Sequence, residues 1–161
     1  MKRSFFVLGL VLLLTTAIPG VGQEAALTGI KVTSTLRDDG SRTDLQTDYD
    51  TLTSESKTYS ASKKLLQRAT YTVNAQGQPL EGIVYNGKDE IAGRVTYSYD
   101  AQGHMSEQLD KSANGTLLRR LYFYYDSNGH VSGIDTYDGK GNLLQASGSS
   151  LNKKKVRSGR K

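Results

Sequence analysis

Between about residue 60 and residue 146 the chain alternates apolar and polar positions. Leu117, Arg119, Leu121, Phe123 and Tyr125 occupy every second place, and four of the five are apolar or aromatic. Ile91, Gly93, Val95, Tyr97 and Tyr99 make the same series, and Leu65, Gln67, Ala69, Tyr71 and Val73 make it again. A period of two rich in β-branched and aromatic residues predicts strands with one face covered. The stretches between are poorer. His104 to Asp110 (HMSEQLD) and His130 to Tyr137 (HVSGIDTY) mix charged and apolar residues without a clean stripe.

The three series lie 26 residues apart, and no gap interrupts them. Val73-Asn74-Ala75-Gln76-Gly77 aligns with Tyr99-Asp100-Ala101-Gln102-Gly103 and with Tyr125-Asp126-Ser127-Asn128-Gly129. Asp100 and Asp126 open turns in which a carboxylate accepts from the backbone two residues on, and Gly103 and Gly129 close them with a positive φ. A second turn follows twelve residues later, at Asn114-Gly115 and Gly139-Lys140-Gly141-Asn142. One period therefore holds two strands and two tight turns of ordinary length. The predicted fold class is all-β: an antiparallel meander of hairpin repeats with about nine or ten strands, as a single extended or curled sheet. Thr28 to Tyr59 reads as a weaker copy. Arg37-Asp38-Asp39-Gly40 is one more hairpin turn there, out of register by a couple of residues.

The two ends follow a different logic. Lys2-Arg3, the apolar run Phe5 to Leu14 and the Pro19-Gly20 break predict a secretory signal peptide over residues 1–22, cleaved after Gly22 or near Ala25. Even extended to Ile18 the run falls short of the roughly 20 residues that span a bilayer, so no transmembrane segment is expected after cleavage. The repeat domain then covers residues 23–150, and residues 151–161 form a disordered basic tail. The net charge of +5 arises from 21 Lys and Arg against 16 Asp and Glu. Lys2, Arg3, Lys153, Lys154, Lys155, Arg157, Arg160 and Lys161 supply eight of those cations, leaving 13 against 16 in the body. A nucleic-acid reader carries its basic face on the folded domain, so nucleic acid is not an expected partner. The absence of Cys excludes disulfides and a lipoprotein anchor, which for an exported chain points to a bacterial periplasmic or secreted protein.

Gly93-Arg94-Val95-Thr96-Tyr97-Ser98-Tyr99-Asp100-Ala101-Gln102-Gly103-His104-Met105 resembles the YD repeat of the RHS (rearrangement hotspot) and teneurin families. Leu121 to Val131 matches the second half of that pattern, and Val73-Asn74 stands where a third copy would have Tyr-Asp. The likeness covers about half the chain. It implies β-hairpin strips and an extracytoplasmic role; in that family the repeats bind carbohydrate or encapsulate a toxin. Two departures matter: the repeats are too few to close a shell, and no toxin domain follows them. MORN-like envelope repeats are a second kinship, with a poorer glycine pattern.

Candidate chemistry is sparse. His104 and His130 share one repeat position, which Gln78 fills in the third copy, and are expected to be exposed and variable and not metal ligands. The Asp-rich turns lack the spacing of calcium loops. No Gly-x-Ser-x-Gly elbow, metal motif or cofactor fingerprint is present, so neither an enzyme nor a cofactor is expected. Asn114-Gly115-Thr116 reads as a turn and not as a glycosylation site. Seven tyrosines, Tyr71, Tyr97, Tyr99, Tyr122, Tyr124, Tyr125 and Tyr137, lie in or beside repeat columns. Most pack across strands. Tyr122 and Tyr124 point to the face opposite the inner column, where Thr96 and Ser98 sit one copy earlier, and are the candidate binding platform. Lys153, Lys154, Lys155, Arg157, Arg160 and Lys161 are the candidate electrostatic tether to an anionic surface. The expected function is a non-enzymatic binding or structural module at the cell envelope, with polysaccharide or protein as partner. A small hydrolase or metal-dependent enzyme, and a protein that self-associates through its open sheet edges, are the alternatives.

Overall fold

The computed structural model describes residues 27–147. Ten strands follow one another in chain order, each antiparallel to its sequence neighbours: β1 (Ile30–Leu36), β2 (Arg42–Asp48), β3 (Thr53–Tyr59), β4 (Leu65–Val73), β5 (Pro79–Asn86), β6 (Ile91–Tyr99), β7 (Met105–Ser112), β8 (Leu117–Tyr125), β9 (Val131–Asp138) and β10 (Leu143–Ala146). The result is one open sheet, with β1 and β10 at its edges. Among the described residues no helix is long and apolar enough to cross a membrane. The predicted signal peptide and the basic tail, with Lys153, Lys154, Lys155, Arg157, Arg160 and Lys161, lie outside the described residues.

One hydrogen-bond pattern builds the repeat turns. At Asp100 the backbone N–H donates to the carbonyl of His104 at 2.8 Å, and the Gly103 N–H donates to the Asp100 carbonyl at 3.0 Å. The same two bonds recur at Asp126, Asn74, Asn86, Ser112 and Asp138. Asp100 Oδ1 then accepts from the N–H of Gln102 at 3.0 Å and of His104 at 2.8 Å, as Asp126 Oδ1 accepts from Asn128 and His130 at 2.9 Å. The closing residue is left-handed, with Gly103 at φ 83° and Gly129 at φ 79°.

From the β3–β4 connection onward each turn leaves a bulge at the second residue of the following strand. Tyr99 pairs with Met105 and Ser98 with Glu107, so Ser106 is an extra residue on β7. Leu80 and Ser132 hold the same place on β5 and β9. An extra residue reverses which face the later side chains meet, so a strict period of two fails there.

The repeat also reaches further towards the N-terminus than the aligned segments suggest. The Arg37–Gly40 turn is displaced, as expected, but from Arg42 onward the 26-residue frame holds without a gap. Asp48 takes the place of Asn74, Asp100 and Asp126, and its Oδ1 accepts from the N–H groups of Asp50 at 2.9 Å and Thr51 at 3.1 Å.

Register assigns the side chains to two faces. One has an apolar centre: Ala69, Tyr71, Val73, Val84, Val95, Tyr97 and Met105 are buried there, with Tyr99 and Phe123 packed against them and Ser54, Ser56 and the Asp110–Arg119 ion pair on the same face. Tyr71, Tyr97 and Phe123 form a column two strands apart; the first two rings tilt against each other at 6.4 Å. Gly82, opposite Tyr71, leaves room for its ring, because a Cβ there would collide with it. Each such aromatic or branched side chain contributes about 1.5–3 kcal/mol when fully buried. Burial also raises the phenol pKa values of Tyr71 and Tyr97.

Candidate functional site

The opposite face is polar, and its most regular feature is a ladder. Arg42, Arg68, Arg94 and Arg120 are 26 residues apart, at equivalent positions of β2, β4, β6 and β8. Across the following hairpin they stand opposite Tyr59, Tyr85, Lys111 and Tyr137. Successive arginines are therefore two strands apart, about 9.6 Å.

Two of the rungs hold the guanidinium over the ring opposite. The Arg68 guanidinium lies 3.9 Å from the centre of the Tyr85 ring, and Arg42 lies 5.3 Å from that of Tyr59. Arg68 also donates through Nε and a terminal nitrogen to Asp89 Oδ1, at 3.0 and 2.6 Å. Arg42 pairs with Asp44 at 2.9 Å. On the fourth strand pair Arg120 Nε is 3.1 Å from Glu107 Oε1, an ion-pair contact without hydrogen-bond alignment. A terminal nitrogen of Arg120 donates to the Tyr122 hydroxyl at 3.2 Å.

Tyr122 and Tyr124 belong to this end of the polar face. Tyr122 stands opposite Asp135, and Tyr124 opposite Gly133. The Tyr122 and Tyr137 rings meet edge to face at 5.8 Å. Tyr124 donates its hydroxyl to Oδ2 of Asp135 at 3.2 Å, and Asp135 is fully buried. The pair shares a face with Thr96 and Ser98, but both tyrosines are half-buried and not freely exposed. They form a packed cluster with Arg120, Asp135 and Tyr137. Ring edges and hydroxyls beside a guanidinium suit a polyhydroxylated ligand.

The rest of that face holds a groove of about 670 Å³ across β2 to β7. Thr53, Thr70, Thr72 and Thr96 line it with hydroxyls, alongside Ile83, Arg94 and Lys111. Asp48, Glu55 and Glu81 supply negative charge.

Asp100, Gly103, Asp126 and Gly129 are brought together along one margin of the sheet, where they shape turns. Backbone donors hold Asp126 below the usual carboxylate range, the His130 N–H foremost. Burial works the other way at Asp100, but the His104 and Gln102 amides outweigh it, and its pKa is also lowered. The histidine expectation needs correction. His104 is only half exposed: its ring stacks on Tyr125 at 4.6 Å and its Nδ1 is 3.3 Å from Asp100 Oδ2. The repeat places it against the next turn, where Gln78 one copy earlier donates Nε2 to the Gly103 carbonyl at 2.8 Å. His130 has no following copy to stack on and is exposed. Among the described residues no three His, Asp or Glu side chains gather closely enough to hold a metal ion.

Sequence reasoning missed the ladder. The signal was available in the same 26-residue shift, because Tyr59, Tyr85 and Tyr137 fall in one column within the poorer strands. No protein-family model matches the chain, and comparison with curated proteins finds none similar to it.

Proposed function

We propose that this protein is an exported bacterial repeat module that binds envelope polysaccharide through its polar face and catalyses no reaction. The carrying observation is the division between faces. The apolar face holds the buried column Tyr71 and Tyr97, and the polar face repeats an arginine every two strands, opposite a tyrosine in three of the four copies. Arginine and tyrosine recurring at fixed intervals suit a ligand that itself repeats, and a polysaccharide offers hydroxyls and apolar ring faces to such a row. The YD-like pattern and the signal-peptide reading support an extracytoplasmic setting. The basic tail adds electrostatic adhesion to an anionic surface, which salt weakens.

The test is binding of extracted envelope polysaccharide to the immobilised full chain, to Tyr122→Leu, and to a chain whose tail residues Lys153, Lys154, Lys155, Arg157, Arg160 and Lys161 are replaced by Gln. Binding that survives the tail change and high salt but weakens in Tyr122→Leu supports the reading. Binding that vanishes with the tail charges and ignores Tyr122 overturns it.

A second reading, self-association, rests on β1. The bonded positions Arg37–Ser41 and Gly29–Tyr49 place the N–H and C=O groups of Ile30, Val32, Ser34 and Leu36 on the outer edge. Ile30, Val32 and Leu36 are 63%, 64% and 74% exposed, an apolar edge of the kind that pairs with a second copy.

A further inference from the structure

The third rung of the ladder breaks its rule. Opposite Arg94 the repeat puts Lys111, where Tyr59, Tyr85 and Tyr137 stand in the other copies. Like charges directly opposite on neighbouring strands are destabilising. Nothing offsets them here: Arg42, Arg68 and Arg120 each have a carboxylate partner, but among the described residues neither Arg94 nor Lys111 has an ion pair. Both cations line the groove of the polar face, with Thr96 two residues along β6 from Arg94, and with Ile83 on β5 and Thr70 on β4 continuing the row beyond it. Of the acids of that groove, Glu55 lies beside Lys57 and Arg68, and Glu81 stands opposite Thr96, diagonal to Arg94, without forming an ion pair with it.

We infer that Arg94 and Lys111 form a binding site for a phosphoryl group carried by the ligand. This rests on the polar face being a glycan-binding surface, and it narrows the ligand to a phosphorylated sugar. Two adjacent positive charges match the double negative charge of a phosphate monoester better than the single charge of a carboxylate. A guanidinium offers paired N–H donors to phosphate oxygens, and an ammonium supplies a compact charge beside them. The threonine hydroxyls of the groove then meet the hydroxyls of the attached ring.

The experiment is a titration of the full-length protein, followed by amide and side-chain chemical shifts. The probes are glucose 6-phosphate, glucose, inorganic phosphate and vesicles containing phosphatidic acid. The variants are Arg94→Gln and Lys111→Tyr; the second installs the residue that the column carries elsewhere, so folding is retained. Glucose 6-phosphate is expected to shift Arg94, Lys111 and Thr96 in the wild type, with the dissociation constant rising about tenfold or more in either variant. Unchanged affinity in both variants overturns the inference. Glucose binding as well as its phosphate, indifferent to both substitutions, overturns it and leaves the glycan reading standing. Inorganic phosphate or vesicles binding as tightly as the sugar phosphate contradicts a phosphorylated sugar as the ligand. Absence of any response to glucose and to its phosphate counts against both readings.

Discussion

Tyr125 donates its hydroxyl to the carbonyl of Met105 at 3.0 Å, and this bond belongs to the repeat and not to one site. One copy earlier Tyr99 makes the same bond to the carbonyl of Pro79 at 2.7 Å. In both cases a tyrosine at the end of a long strand reaches back to the first residue of the preceding short strand, beside the bulge. The second tyrosine of the Tyr-x-Tyr-Asp run therefore fastens the bulge, and the following Asp shapes the turn. Val73, which lacks a hydroxyl, cannot fasten its own copy this way. Tyr99→Phe is expected to destabilise the protein by about 0.5–1.5 kcal/mol, the net contribution of one hydrogen bond, as read by denaturant unfolding. Val73→Phe, which also has no hydroxyl, gains no such bond.

The closing turn position offers a cleaner test. Lys63 and Asp89 adopt φ of 64° and 66° in the column where Gly115 and Gly141 have 89° and 85°. A left-handed conformation costs a non-glycine residue about 1–2 kcal/mol, part of which glycine gives back through its freer unfolded chain. Lys63→Gly should therefore stabilise by about 0.5–1 kcal/mol. Gly115→Ala should destabilise by a similar amount of about 1 kcal/mol, because open space surrounds the position and only backbone strain remains. Thermal melts of the two variants, moving in opposite directions, check this.

Stability should fall at both ends of the pH scale. Asp48, Asp126 and Asp138 are held below their ordinary pKa by hydrogen bonds, the donors being chiefly Thr51, His130 and Asn142, and Asp100 is lowered against the opposing effect of burial. A lowered carboxylate contributes stability above its unfolded pKa of 3.8 and loses it as pH falls through the folded value, so melting temperature should drop below about pH 4. Burial raises Tyr71, Tyr97, Tyr99 and Tyr125 above the ordinary phenol value of 10.0. The unfolded chain releases these protons first, so stability is intact below pH 10 and declines above it. The part of the phenolate absorbance that comes from these four tyrosines should rise together with unfolding and not before it.

The ladder should be measurable as a coupling. A double-mutant cycle on Arg68 and Tyr85, whose guanidinium and ring are 3.9 Å apart, is expected to give about 0.5–1 kcal/mol. The same cycle on Arg94 and Lys111 should give a coupling of opposite sign.

Val32→Lys addresses the edge. A charge on the outer edge of β1 should abolish any concentration-dependent rise in mass seen by light scattering, with little change in melting temperature, since Val32 is 64% exposed.

Much of the architecture was legible because it repeats. Leu117 to Tyr125 declares its strand by strict alternation, and Asp100 and Gly103 declare their turn by chemistry that acts within five residues. Where the structure departs, the cause lies between strands. The pattern of β7 is hard to read because the positions behind Ser106 that face the core column, Gln108 and Asp110, are polar. His104 looked free in the sequence because its partner, Tyr125, is 21 residues away on the next strand. Tyr122 and Tyr124 were assigned to the correct face, but not to their cluster, because the buried carboxylate beneath them, Asp135, comes from a strand with no readable stripe. Arg42 was hidden by the displaced Arg37–Gly40 turn just before it.

The most direct test of a structural face backed by a recognition face is to measure unfolding free energy and affinity for envelope polysaccharide on the same two variants. Tyr99→Phe, on the apolar face, should lose stability and keep the affinity of the wild type. Tyr122→Leu, on the polar face, should lose affinity by about tenfold, with a stability loss of about 0.5–1.5 kcal/mol from its contact with the Tyr137 ring. Loss of affinity in Tyr99→Phe with none in Tyr122→Leu would contradict the division of the two faces.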